Sequence, residues 1–276
     1  YDLAFLLMDL SFRGFATAAN RVLNAYLMAL DAADLEATLD GLAVLPLFLS
    51  CRAGVRAHID ARVAAAHASD AERARLTRRA QAYLRLARDA LAPSAPLLVA
   101  VGGLSGSGKS TLAAGLAPHL GLPPGAVVLR SDLLRKRAFD VAPTARLGDA
   151  AYTPEVNARV YHRQRDLAQR TVAAGWPVIA DAVFARPAER DAIADAAAAD
   201  VRFDGLWLDV DDNAMAARIA ARRGDASDAT VSVLQQQLRY NLGPMLWTRI
   251  DGGGTPEAVL QRACAALGVA PSRRPV

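Results

Sequence analysis

VAVGGLSGSGKSTLAAGL, residues 99 to 116, is the stretch whose reading decides the fold. An apolar, β-branched lead-in runs from Leu97 to Val101 after Pro96 and reads as a buried parallel strand. The chain then turns to glycine and serine before a helical Leu/Ala pattern begins, so the order is strand, loop, helix. Within it, Gly103 to Ser110 matches the phosphate-loop pattern G-x-x-x-x-G-K-[ST] in the context that gives the motif its meaning. Glycines let successive backbone N–H groups converge on phosphate oxygens, and the helix N-terminus adds partial positive charge. The expected phosphate-binding set is Gly103, Ser105, Gly106, Ser107, Gly108, Lys109, Ser110 and Thr111. Lys109 is expected to reach the β- and γ-phosphates of ATP, and Ser110 a Mg²⁺ ion.

Working outward, 276 residues exceed one typical domain, and an apolar fraction of 53% is ample for a packed core. The net charge of +4, with Arg in excess of Lys, suits phosphate ligands and falls short of a nucleic-acid-binding tail. Nucleic acid is permitted as a partner but not indicated. Cys51 and Cys264 lie far apart, with no C-x-x-C spacing and no clustered histidines, so no zinc site or disulfide framework is expected. A reducing cytoplasm fits that usage. The apolar opening YDLAFLLMDL carries Asp2 and Asp9, lacks a basic n-region and is too short to span a bilayer, so no membrane association is expected of it. It also begins without Met, as a fragment or processed product would.

Residues 1–92 contain no convincing strand: Leu/Ala/Arg runs at helical spacing fill 1–30, 34–40, 46–67 and 70–91. LAPSAP, 91 to 96, marks a boundary, after which apolar strands alternate with helices. Strands are expected near 97–101, 126–130, 177–181, 203–209 and 246–250, each followed by a helix. That rhythm predicts an α/β domain over 93–276: a phosphate-loop NTPase fold with a five-stranded, doubly wound parallel sheet, preceded by an all-helical N-terminal domain over 1–92. The longest helix is expected to open at Thr153-Pro154-Glu155 and to stop at Gly175.

A phosphate loop alone does not separate motors, switches and transferases; the ends of the other strands do. AVVLRSDLLRKR, 126 to 137, delivers Asp132 to the carboxyl edge of the sheet, where a carboxylate can accept the proton of an attacking hydroxyl. Helix capping is the competing role there. WPVIADAVF, 176 to 184, ends its strand in Asp181, the usual arrangement for a Mg²⁺-holding carboxylate. The next residue is Ala182, not the water-activating Glu common in hydrolytic motors. In ARIAARRGDASDAT, 217 to 230, Arg218 and Arg222 share a helical face, Arg223 lies beside them and Gly224 ends the helix. Arginines on a movable loop can neutralise the charge of a transferring phosphoryl group; Arg222 leads, then Arg218. Basic residues complementing a helix dipole are the plainer alternative.

VAVGGLSGSGKSTLA, VVLRSDLLRK, VIADAVFARPAER, GLWLDV and RGDASDA together make residues 96 to about 268 resemble the phosphate-loop kinases of the gluconate kinase, chloramphenicol phosphotransferase and zeta-toxin group. More narrowly, they resemble the ATP-binding half of bacterial bifunctional aminoglycoside phosphotransferase/ATP-binding proteins. The resemblance implies ATP and Mg²⁺, an acceptor-side acid at Asp132, a lid from the Arg218 to Asp228 region, and an acceptor-contacting arginine at Arg190 in RPAERDAI. Residues 1–92 resemble the last helices of an aminoglycoside-phosphotransferase-like fold, on YDLAFLLMDL and LPLFLSCRAGVRAHI. This chain has no H-x-D-x-x-x-x-N catalytic loop, so that part is expected to act as a scaffold or regulatory neighbour and to contact a missing N-terminal kinase-like half.

Between the second and third strands, the insertion carries Arg135, Lys136, Arg137, Arg146, Tyr152, Arg159, Tyr161 and His162, a composition suited to enclosing a hydroxylated or anionic acceptor. Arg135 joins Asp132 and Arg190 as an expected acceptor contact. IDGGGTPEAV, 250 to 259, is expected near the adenine ring or as a simple turn. The expected activity is transfer of the γ-phosphate of ATP to a small-molecule hydroxyl. A polynucleotide kinase and a nucleotide sensor without transfer stay open as alternatives.

Overall fold

The computed structural model describes residues 1–66, 69–92, 95–221 and 226–269. The described residues fall into two compact units, one from 1–66, 69–92 and 122–125, the other from 95–121, 126–221 and 226–269.

In the helical unit, α1 (Asp2–Phe12), α2 (Ala16–Ala29), α3 (Ala32–Gly41), α4 (Leu45–Ala66) and α5 (Asp70–Ala90) follow the heptad-like spacing of Leu and Ala. Asp31 and Ser69 cap α3 and α5 by accepting from the amides of Asp34 and Glu72. Leu7, Leu23, Leu27, Leu35 and Leu39 are fully enclosed. Burial alone would make Asp60 of α4 costly; Arg79 of α5 answers it with two hydrogen bonds, Nε at 2.6 Å and Nη2 at 2.5 Å. The bond from Arg79 holds the Asp60 carboxyl below its ordinary range. Among the described residues one stretch, Ala32–Ala66, is long and apolar enough to cross a membrane; here it comprises α3, a short 3-10 turn and α4.

The second unit alternates strands and helices: β1 (Leu97–Gly102), α6 (Lys109–Leu116), β2 (Val127–Arg130), α7 (Ser131–Ala138), α8 (Pro154–Ala173), β3 (Val178–Asp181), α9 (Pro187–Ala194), β4 (Arg202–Asp209), α10 (Asp212–Ala221), α11 (Val231–Gln237), β5 (Thr248–Asp251) and α12 (Pro256–Leu267). All strand pairs are parallel, in the order β2-β3-β1-β4-β5. The five expected strands are all present, and α8 opens on the Thr153 cap and Pro154, as its sequence predicts.

Val99 and Val101 face one side of the sheet, with Leu112 and Leu116 of α6 and Val259, Cys264 and Leu267 of α12 closing over them. Leu98, Ala100 and Ala180 are equally buried, on the other side, where α8 and α9 pack. Both faces being covered explains why these strands read as continuous apolar runs. The connection leaving β1 passes over β3 to reach β2, whereas that leaving β4 runs to β5 on the opposite side. The chain thus diverges at the carboxyl end of β1, which is where open α/β sheets bind ligands. The two cysteines are free, Cys51 exposed and Cys264 in the core.

Candidate functional site

At that point of divergence the chain makes a tight loop. A Cβ added to Gly106, whose φ is +82°, would stand 2.5 Å from the carbonyl oxygen of Met215 in α10, so no side chain fits there. Gly108 supplies the left-handed N-cap of α6, with φ +92°. The loop therefore ends with its amides turned into the first turn of α6, whose orphan N–H groups carry the positive end of the helix dipole.

Residues Gly106 to Leu112 line a cleft of about 470 Å³, together with Asp132, Arg218, Gly252, Gly254, Pro256 and Val259 among others. Of the expected phosphate-binding residues, Gly106, Ser107, Gly108, Lys109, Ser110 and Thr111 line it. Gly103 and Ser105 do not, and their amides are committed elsewhere: Gly103 N–H donates to the Val183 carbonyl at 3.2 Å, and Ser105 N–H to Gln237 Oε1 at 2.8 Å. Through these bonds the two residues shape the loop. The Ser107 hydroxyl is buried without a hydrogen-bond partner.

Three strands deliver the charged groups. Asp181, the last residue of β3, is in register with Val101 of β1 on one side and Arg130 of β2 on the other, and is only 3% exposed. Burial pushes its carboxyl above the ordinary range; Lys109, Arg130 and a hydrogen bond from the Ser110 hydroxyl pull it back, and Asp132 adds to the upward push. Arg130 Nε stands 3.5 Å from Asp181 Oδ2. Asp132, in the first turn of α7, lines the cleft although β3 lies between its strand and β1. The two strand-end aspartates, Ser110 and Lys109 are thereby within electrostatic reach of one another.

An all-oxygen set of one carboxylate and one hydroxyl suits a hard cation that takes its other ligands from phosphates and water, as Mg²⁺ does. Among the described residues no group of three or more His, Cys, Asp or Glu forms a self-sufficient metal site.

Arg218 of α10 crosses the cleft: Nη1 donates to the Ser107 carbonyl at 3.2 Å and Nη2 to the Gly252 carbonyl at 3.0 Å. It ties the phosphate loop to the glycine-rich turn after β5, which Arg262 of α12 also grips through the Asp251 carbonyl at 2.9 Å and the Gly253 carbonyl. Arg222, expected to lead the lid, lies outside the described residues, as do Arg223 and Gly224.

The expected acceptor arginines sit differently. Arg190 is 3% exposed and donates to four carbonyls: Phe184 at 3.0 Å, Ala185 at 2.9 Å, Leu242 at 2.6 Å and Pro244 at 2.9 Å. Nη1 and Nη2 thus hold two loops together, a structural role that stands beside the acceptor contact expected of Arg190. Replacement by Met is expected to lower the unfolding free energy by about 3 kcal/mol, read from urea denaturation, with ATP affinity retained in the folded variant. Unchanged stability would remove that structural role. Arg135, 5% exposed, donates to the Ala151 carbonyl at 2.6 Å and lies 4.6 Å over the Tyr152 ring. Its Nε is buried without a hydrogen-bond partner, so the acceptor role expected of Arg135 stays a proposal beside this wall contact.

Sequence reasoning singled out Lys136, Tyr152 and the Arg218 to Asp228 region but missed the pairing that braces this wall. Lys136, 1% exposed, donates to Asp228 and to the Ala145 carbonyl. Asp228 also accepts from Tyr152 Oη at 2.6 Å and the Leu147 amide at 3.1 Å. Burial works against the Asp228 charge, yet the bonds from Lys136, Tyr152 and Leu147 hold its carboxyl below the ordinary range. No local pattern signals a pairing between residues this far apart in the chain. Gln237 and Gln164 were likewise silent, being amides within otherwise apolar helical faces.

Residues 98–242 match the family model described as AAA domain. A protein of Mycobacterium tuberculosis strain H37Rv and one of Mycobacterium bovis, both described only as uncharacterized, are 30% identical over 279 residues, taking in 95% of this chain and 51% of each relative. The chain spans about half the length of the curated relatives it matches. Similar solved structures include a sugar kinase from Janibacter sp. (24% identical, 64% of this chain and 96% of that one, TM-score 0.46) and a gluconokinase from Sinorhizobium meliloti (21%, 63% and 93%, 0.45). The APS kinase of Mycobacterium tuberculosis, solved with AMPPNP and APS, is 22% identical over 64% of this chain and 99% of that one, with a TM-score of 0.47.

Proposed function

The chain belongs to the AAA domain family, and from that premise we propose that it is an ATP-dependent phosphotransferase that moves the γ-phosphate to a hydroxyl of a small molecule, a sugar, sugar acid or aminoglycoside-like polyol. One observation carries the reading: Asp132 lines the same cleft as Lys109 and Ser110, while the buried Asp181 ends β3 in register with Val101 of β1 and Arg130 of β2. A loop that only bound nucleotide would need no second acid on the cleft wall.

In this reading the Gly106 to Thr111 amides and the α6 N-terminus cradle the phosphates, with Lys109 at the β- and γ-groups. Ser110 and Asp181 hold Mg²⁺, which, when bound, neutralises phosphate charge. Asp132 orients the acceptor hydroxyl and takes its proton as the oxygen attacks the γ-phosphorus. The new O–P bond forms as the bond to the β-phosphate bridging oxygen breaks, and ADP leaves. Arg218 keeps the loop and the turn after β5 together around the nucleotide and adds positive charge beside the transferring group. Positioning and electrostatics supply the acceleration, with no covalent enzyme intermediate. Residues 1–92, lacking a catalytic loop of their own, serve as scaffold.

Incubation with γ-labelled ATP, Mg²⁺ and pooled polyols, sugar acids, aminoglycosides and short RNA tests the reading. Label in a small molecule is the expected result. Label on RNA ends would make the protein a polynucleotide kinase, and tight ATP binding with no labelled product from any acceptor would make it a sensor.

A further inference from the structure

Helix α8 lies against the sheet through Val156, Val160, Gln164, Leu167, Ala168, Thr171 and Val172, a stripe at helical spacing in which one residue is an amide. Gln164 is wholly buried. Its Nε2 donates to the Leu129 carbonyl at 2.7 Å and to the Asp181 carbonyl at 3.1 Å. Two carbonyl acceptors fix which way the amide faces, since only its NH₂ end can serve both. The opposite end, Oε1, is then buried with no donor.

A buried acceptor left unpaired costs about 1–3 kcal/mol, and an aliphatic side chain of the same length would occupy this stripe without that penalty. The two bonds from Nε2 offset a penalty of that size, so stability alone gives the amide little advantage over an aliphatic side chain. What the amide touches supplies the reason for it: Leu129 stands three residues before Asp132, and the second carbonyl is that of Asp181 itself. Ladder pairing already sets the distance between β2 and β3, with Arg130 opposite Asp181. The last rungs of a ladder are its loosest, however, and a side chain that departs from a terminal residue inherits the tilt of its peptide plane.

We propose that Gln164 is a positioning residue: by clamping the terminal peptides of two neighbouring strands with one amide, it fixes the mutual placement of Asp132 and Asp181, and through Asp181 the geometry of cation binding. This rests on the phosphotransferase reading of the same cleft. Residues that orient a metal-holding carboxylate from behind are worth about 10–100-fold in metal affinity.

The test uses the full chain, a fluorescent ATP analogue as probe, and two solutions, one with EDTA and one titrated with Mg²⁺. In Gln164→Met, affinity in EDTA is expected to match the unmodified protein, since the phosphate loop is untouched. The Mg²⁺ concentration giving half of the affinity gain is expected to rise about tenfold or more. Equal half-points in the two proteins overturn the proposal, as does a parallel loss of affinity in both solutions, which a merely structural role would produce. Should Gln164→Met fail to give a cooperative unfolding transition, Gln164→Leu, which likewise removes both donors and leaves no unpaired acceptor in the stripe, is held to the same comparison. If the unmodified protein binds ATP with no response to Mg²⁺, the functional reading itself falls and takes this inference with it. A normal response in the unmodified protein and an identical one in the variant removes the inference alone.

Discussion

Asp132→Asn lowers the rate of phosphate transfer by about 10²–10⁴-fold and leaves ATP affinity close to that of the unmodified protein. The carboxamide keeps the size of the side chain and its place in the first turn of α7, where Asp132 lines the cleft. It cannot take a proton from an attacking hydroxyl. Because Asp132 also pushes the Asp181 carboxyl upward, its neutralisation relaxes Asp181 toward the ordinary carboxylate range. Cation binding then persists to lower pH in the variant, since only the ionised form of Asp181 serves as a ligand. Transfer to the acceptor identified by labelling, compared with binding of the ATP analogue, checks both halves. Full turnover in Asp132→Asn would remove the assigned base.

Lys109→Met has the second large effect, and it differs in kind. The ammonium group is the charge expected at the β- and γ-phosphates, so transfer falls by about 10²–10³-fold, and the preference for ATP over AMP in binding shrinks. Lys109 is also the first of the charges that pull the Asp181 carboxyl down against burial. Its removal lets burial act less opposed, and the pH at which Mg²⁺ begins to strengthen ATP binding moves upward. Competition of ATP and AMP against the fluorescent analogue, repeated across pH in the presence of Mg²⁺, reads both effects. A variant that still distinguishes ATP from AMP as the unmodified protein does would contradict the placement of Lys109.

Much of this site is legible residue by residue because its parts are local. The phosphate loop is a run of eight residues whose glycines, lysine and serine each answer a backbone or charge requirement within that run. Asp132 and Asp181 are visible because apolar strands end at them, and strand ends in a parallel sheet share one edge. The arginines were harder to read. Arg135 and Arg190 have the charge that an acceptor site wants, and sequence alone cannot distinguish a cation facing a ligand from one facing carbonyls. In the folded chain Arg135 Nη1 donates to Ala151, and the two Nη atoms of Arg190 donate to Phe184, Ala185, Leu242 and Pro244. Ser105 illustrates the same limit at the level of the backbone, its amide claimed by Gln237 across 132 positions.

By itself, then, the amino-acid order determined that a parallel sheet carries a phosphate loop at its first strand and carboxylates at the ends of two others, because strand periodicity, glycine conformation and helix capping act over a few neighbouring residues. Tertiary structure decided the order β2-β3-β1-β4-β5 that sets Asp181 between β1 and β2, the pairing of Lys136 with Asp228, and the clamp of Gln164 on two strand ends. Each of these depends on burial and on partners distant in the chain. A buried charge or amide is settled by whichever oppositely polar group the packing brings near it, and no local pattern encodes that choice.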